Sequence, residues 1–171
     1  MALKGVQLGL RAFQFLWTLL IMALVGNMVS EAFSGNPSSV NFAMFTAAFS
    51  MLSLIYLIAA TLKPDWAIHP IIMITVDVLN CIFFFCAAIA LAARLGAHSC
   101  SNRNYLKHNG VVNGSHDPET RCREAQASTA FLWFGWAGYL ASAIISIATA
   151  RSANPSGGSR RVVSRPSMAQ V

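Results

Sequence analysis

The chain is 171 residues long, 56% hydrophobic and only 11% charged, with a formal net charge of +6. Soluble domains carry about 25% charged residues, and a domain of this size cannot hide so much apolar surface, which excludes a water-soluble globular fold. The charges crowd into the termini and one polar segment, as a bilayer demands: crossing about 30 Å of hydrocarbon takes roughly 20 apolar residues in a helix, because every backbone polar group must be satisfied without water.

The first stretch that meets this requirement runs over about residues 12–29. Lys4 and Arg11 ahead of it, with Ser30 and Ala32 behind, also fit a cleaved secretory signal, but the apolar run exceeds the roughly 7–15 residues of such signals. An uncleaved first helix is expected. Gly35, Asn36, Pro37 and the serine pair that follows make a tight turn. The second helix is expected over 41–62. Lys63-Pro64-Asp65-Trp66 and His69-Pro70 then stop one helix and start the next at its first turn, giving a third helix over 70–95. Both short connections imply antiparallel hairpins. Residues 96–126 form a long polar loop, a fourth helix is expected over 127–150, and residues 151–171, rich in Ser, Gly, Pro and Arg without apolar periodicity, read as a disordered basic tail. The expected fold is therefore all-α: an integral membrane four-helix bundle over residues 1–150, antiparallel and left-handed.

With both termini cytoplasmic, that side holds Lys4, Arg11, Lys63, Arg151, Arg160, Arg161 and Arg165, and the other holds Arg94, Arg103, Lys107, Arg121 and Arg123. Seven against five is a small positive-inside bias. The loop carries a stronger argument. Cys100 and Cys122 share one short polar segment, and Asn113-Gly114-Ser115 is an N-glycosylation sequon. A disulfide and a glycan both belong on the lumenal or extracellular side, and closing the loop contributes on the order of 3 kcal/mol. The alternative is two free thiols and an unused sequon.

Asp77 is the one acidic residue well inside an apolar span, and an ionisable group there is a functional hypothesis by default. Asn80 lies on the same helix face. If the third helix starts near Pro70, Asp77 sits about 10 Å deep, and Thr18, Ser53, Tyr56, Ser142 and Ser146 reach similar depths. An intramembrane polar cluster is expected, with Asp77 either a protonated or hydrogen-bonded structural group fixing helix register, or a proton-linked switch. Gly138, Ser142, Ser146 and Ala150 recur every four residues on the fourth helix, as Ala88 and Ala92 do on the third. Such small-residue stripes let helices approach closely. Inside the bundle they pack its helices; outside it they would join copies of the chain in a homo-oligomer. Trp17 and Trp66 on one side, with Trp133 and Trp136 on the other, are placed as an interfacial aromatic belt would be.

Catalytic signatures are poor. His69, His98, His108 and His116 show no metal-ligand spacing, and no Ser, His and acid form a nucleophilic motif. Cys81 and Cys86 lie within a span, five residues apart and off one helical face, with no Cys-x-x-Cys for a thiol oxidoreductase. No enzyme activity, metal, cofactor or nucleic-acid partner is expected. A small proton-coupled transporter or channel using Asp77 is the alternative, against which stand a single intramembrane acid and no helix broken in mid-span.

Four segments, in order and spacing, carry a family likeness: Val40-Asn41-Phe42-Ala43-Met44-Phe45, Asp77-Val78-Leu79-Asn80, Ala97-His98-Ser99-Cys100, and Thr120-Arg121-Cys122-Arg123-Glu124-Ala125-Gln126-Ala127. Together they resemble the fungal MARVEL-domain tetraspan proteins of the non-classical export type, over most of the chain and least in the tail. The resemblance implies a plasma-membrane organiser associated with furrow-like eisosome domains, with their sterol and sphingolipid, and with other proteins of such domains. In the tail, Arg160, Arg161 and Arg165 surround Ser164, a basic cluster suited to anionic inner-leaflet lipid and a serine suited to a basophilic kinase.

Overall fold

The computed structural model of the protein describes residues 2–33, 35–63 and 70–153. They form α1 (Ala2–Ser30), α2 (Ser38–Leu62), α3 (Pro70–Leu95), the short α4 (Arg103–His108) and α5 (Pro118–Ala153). The four long helices are each long and apolar enough to cross a membrane. Trp66, His69 and the residues after Ala153, including Arg160, Arg161, Ser164 and Arg165, lie outside the described residues.

Two helices begin well before the apolar runs that mark them. α1 starts at Ala2, not near residue 12, and α5 at Pro118, not near 127. The extension of α5 has a local cause. Asp117 precedes Pro118 and Glu119, and its carboxylate accepts from the backbone N–H and the hydroxyl of Thr120 at 3.2 and 2.6 Å. An N-cap aspartate, a proline at the first helical position and an acid in the first turn together start a helix. Those hydrogen bonds, that to the Thr120 hydroxyl foremost, hold the Asp117 carboxyl below its usual range.

Each long helix buries a seam with spacing of alternately three and four residues. On α1 it is Gln7, Arg11, Gln14, Thr18, Ile21, Val25 and Met28. On α5 it is Arg121, Ala125, Ser128, Leu132, Gly135, Tyr139 and Ser142. A repeat averaging 3.5 residues is the knobs-into-holes period that winds neighbouring helices left-handed. α1 packs on α2 and α5, and α3 packs on α2 and α5; α1 and α3 do not approach as backbones, nor do α2 and α5. Side-chain links run in opposite senses along each adjacent pair, from Lys4 to Leu62 and Thr18 to Ser50 for α1 and α2, and from Gln7 to Ser146 and Asn27 to Glu124 for α1 and α5. They run likewise from Phe42 to Phe83 and Ser53 to Asn80 for α2 and α3, and from Asp77 to Ser142 and Phe85 to Trp133 for α3 and α5. Neighbours are therefore antiparallel around a square.

The surface is inverted relative to a soluble protein. Leu52, Ile55, Ile71, Ile82, Phe45 and Ile144 face outward, while Arg11, Asp77, Gln14, Thr18, Asn80, Arg121 and Ser142 are fully buried. Lipid on the outside is the solvent that makes this arrangement favourable. The interior is divided along its length. Toward the loop, Ile21, Val25, Met28, Val40, Ala43, Phe84, Leu91 and Leu95 make an apolar core that continues into Leu106, Val111 and Val112 of the loop.

The loop is a folded cap. Cys100 and Cys122 are joined by a disulfide with Cα atoms 5.7 Å apart. Asn102 caps α4 by accepting from the N–H groups of Asn104 and Tyr105, and Ala32 pairs with Ser115 in a β-bridge. Arg121, a loop charge in the linear sequence, is fully buried. Its Nε donates to the Val111 carbonyl at 2.7 Å, one Nη to the Met28 carbonyl at 2.8 Å and the other to Asn36 Oδ1 at 2.8 Å. One guanidinium thus fastens the cap to the end of α1 and to the first turn. Arg121→Met would orphan the two buried carbonyls at roughly 1–3 kcal/mol each. The expected outcome is a lowered thermal midpoint in detergent and faster reduction of Cys100–Cys122 by mild reductant; unchanged reduction would show that the cap is held by other contacts.

Candidate functional site

The half of the bundle away from the loop holds a polar network in place of an apolar core. Gln7, Arg11, Gln14 and Thr18 occupy the buried seam of α1, in register with the apolar residues that follow. Asp77 and Asn80 occupy that of α3, and Tyr139 and Ser142 that of α5. At its centre Arg11 meets Asp77 side by side: one Nη donates to Oδ1 at 2.5 Å and the other to Oδ2 at 2.8 Å, with both side chains fully buried. Ser142 donates to Asp77 Oδ2 at 3.1 Å, and Gln14 Oε1 accepts from Arg11 at 3.0 Å. Gln7 donates to the hydroxyls of Ser142 and Ser146 at 3.1 and 2.9 Å. Gln14 also donates to the Gly138 carbonyl at 3.0 Å.

The pair does something that backbone packing does not: it joins α1 to α3 across the diagonal of the square. A second link crosses the other diagonal. Ser50 on α2 hydrogen-bonds the Tyr139 hydroxyl on α5 at 2.5 Å, and Thr18 joins it at 3.0 Å. Two-pronged guanidinium–carboxylate pairs are strong and directional. In a low-dielectric interior such a pair holds only while both partners are present, since either alone is an uncompensated buried charge.

Of the residues expected in one polar cluster, Asp77, Ser142 and Ser146 lie in the Arg11 network. Thr18 lies about two turns further along α1, in the Ser50–Tyr139 link. Asn80 pairs apart from both, donating to Ser53 Oγ at 2.9 Å and to the Val76 carbonyl. Tyr56 does not join, as its buried hydroxyl has no hydrogen-bond partner among the described residues. Asp77 is hydrogen-bonded between helices, and the partner that the sequence did not reveal is Arg11, which is counted among the cytoplasmic charges by its position in the sequence but is fully buried in the bundle.

Gly138 of the small-residue stripe packs inward against α1, where an added Cβ would come within 3.0 Å of Phe13 and 3.4 Å of Gln14. At Gly135 a Cβ would strike the Phe84 ring. Ser142 is buried and Ser146 half-buried, so this stripe faces the bundle interior, not a second copy; on α3, Ala88 is buried and Ala92 half-buried. Trp17 is also displaced from its expected role. It interlocks with Phe13, Phe131 and Phe134 midway along α1, where the early start of the helix puts it. On the loop, Asn113 is exposed, whereas Ser115 of the same sequon is buried beside Glu31. Among the described residues no three His, Cys, Asp or Glu gather as a metal site would require. His98 stacks on Tyr105, His116 meets Phe33 at a tilt, and His108 bonds the Asn104 carbonyl. Cys81 and Cys86 are unpaired.

Four apolar helices closed around an interior that is polar in one half define a multi-pass membrane protein. The chain belongs to the MARVEL family, whose membrane-associating domain matches residues 2–145. It is 40% identical over 165 residues to non-classical export protein 102 of Candida albicans, spanning 95% of each chain. It is 36% identical over 141 residues to non-classical export protein 2 of Saccharomyces cerevisiae, spanning 81% of this chain and 78% of that one. It is 29% identical over 146 residues to the non-classical export protein 2 homolog of Schizosaccharomyces pombe, spanning 85% and 78%. No solved structure matches the chain.

Asp77→Asn distinguishes an ion pair from a neutral structural carboxyl, for which amide and acid are near equivalents. With Arg11 fully buried against it, the amide leaves the guanidinium uncompensated, at about 3–5 kcal/mol. The expected outcome is a sharp fall in membrane yield and in the detergent melting point. A variant that matches the parent in both would mean that Arg11 is compensated elsewhere.

Proposed function

We propose that this protein organises domains of the plasma membrane, of the furrow-like eisosome type rich in sterol and sphingolipid, and contributes to non-classical protein export. It acts without catalysis, as a cross-braced body whose outer face meets lipid and other proteins of the domain. The observation that carries this reading is the distribution of polarity. Large apolar side chains such as Leu52 and Ile55 cover the outside, while the Arg11–Asp77 pair is held within by Gln14 and Ser142. The names of the relatives support the link to export. The transporter reading requires a carboxyl free to exchange its proton or cargo. Asp77 instead holds Arg11 on both oxygens.

In this reading both termini are cytoplasmic and the disulfide-closed cap is extracellular, with Asn113 its glycan acceptor. The expected outcome in cells is a patchy distribution of tagged protein that disperses when sphingolipid synthesis is blocked. A uniform distribution indifferent to that block, together with substrate-dependent proton flux in liposomes, would favour transport.

The tail completes the proposal. Arg151, Arg160, Arg161 and Arg165 hold it against anionic inner-leaflet lipid at roughly 1 kcal/mol per arginine, and phosphate on Ser164, adding about −1.5 to −2 charges, releases it. A tail peptide is expected to bind anionic vesicles in a salt-sensitive way and to lose that binding on phosphorylation of Ser164. Equal binding of both forms would leave the arginines with a topological role alone.

A further inference from the structure

Where α3 ends against α4, the cap leaves an open cleft of about 450 Å³ lined by residues that include Arg94, His98, Asn102, Asn104, Tyr105 and His108. Its volume falls within the roughly 300–1,000 Å³ of small-molecule sites. The chain segment that supplies its lining is basic. From Arg94 to His116 the chain carries Arg94, Arg103 and Lys107 and no Asp or Glu. Among the described residues no side chain pairs with the Arg94 guanidinium, although the Arg94 main chain is engaged: its carbonyl accepts from Asn109 at 2.8 Å.

The end of a helix ordinarily repels an anion, because its last carbonyls are unsatisfied. Here two of them are occupied, Arg94 O by Asn109 and Leu95 O by the Tyr105 hydroxyl at 2.6 Å. The same two bonds fix the wall of the cleft, and His98 lies flat on Tyr105 with ring centroids 4.8 Å apart. His108 Nδ1 bonds the Asn104 carbonyl at 2.8 Å, which leaves Nε2 without a partner among the described residues. That nitrogen accepts from a P–OH when neutral and donates to an oxyanion when protonated.

We propose that this cleft binds a phosphate-bearing anion, with Arg94 as the charged anchor and His108, His98 and the Asn104 amide as hydrogen-bonding partners. Guanidinium is suited to phosphate because its paired N–H groups match two phosphate oxygens. The phosphate could be free or could belong to a lipid headgroup, since Arg94 lies in the last turn of a membrane-spanning helix. The site is independent of the organiser role and of the Arg11–Asp77 pair.

The test uses the full chain with ring-labelled histidine in phosphate-free maltoside micelles, titrated separately with inorganic phosphate, a short-chain phosphatidic acid and the matching diacylglycerol. The expected result is a saturable shift of the His98 and His108 ring signals with the phosphate probes, with His116 unmoved. Arg94→Ala and, independently, His108→Ala should each weaken binding at least tenfold, with formation of Cys100–Cys122 as the check on folding. Tenfold tighter binding of the phosphatidic acid identifies a headgroup site, and equal binding a site for free phosphate. The proposal is overturned if diacylglycerol gives the same shift as the phosphatidic acid, if no probe saturates, or if both folded variants bind as the parent does.

Discussion

The interaction on which the rest of the bundle depends is the buried pair of Arg11 and Asp77. In a square of four helices each helix has two neighbours and one opposite, and packing alone secures only the neighbours. Here α1 and α3 are opposite, and the guanidinium of one reaches the carboxylate of the other through the bundle centre. In lipid no hydrophobic force drives helices together, so specific polar contacts and close packing set their arrangement. The pair fixes the register of α1 against α3 because a sliding motion of one helical step would separate two charges in a medium that cannot solvate them. The Ser50–Tyr139 link does the same for α2 and α5 without charge.

The network also explains the division of the interior. Polar side chains fill the seam at one end, where Gln7, Arg11, Gln14 and Thr18 lie on α1, and apolar ones fill the other, from Ile21 onward. The apolar end is continuous with the cap, which is itself secured by the disulfide and by Arg121. A body braced at both ends presents a stable outer surface, which is what recruitment into a membrane domain asks of it. The proposed organiser role therefore rests on rigidity and on an apolar exterior, and not on a moving part.

Much of this was legible in the sequence because lipid writes a strong signal. A scarcity of charge over some twenty residues marked each span, and α3, despite Asp77 within it, runs from Pro70 to Leu95 as its apolar pattern and Pro70 predict. Two kinds of residue escaped. Gln7 and Arg11 lie in a stretch whose polarity reads as a flank, although spacing from Gln7 through Met28 keeps one unbroken rhythm; the rhythm, not the polarity, carried the information. Arg121 was hidden in the same way, since Ala125, Ser128 and Leu132 continue its seam. The start of α5 was readable from Asp117-Pro118-Glu119 but was masked by the polar surface that the cap needs. The three-dimensional partners of these groups, Met28 and Val111 for Arg121 and α3 for Arg11, have no local signature at all.

A double-mutant cycle across Arg11 and Asp77 tests the central claim most directly, with Arg11→Met, Asp77→Leu and the double variant compared by reversible unfolding in mixed micelles. The account expects strong coupling: each single change costs about 3–5 kcal/mol, and the double change, which removes both charges together, costs far less than their sum. Additive effects within about 0.5 kcal/mol would contradict it, because they would mean that the two charges do not hold α1 to α3.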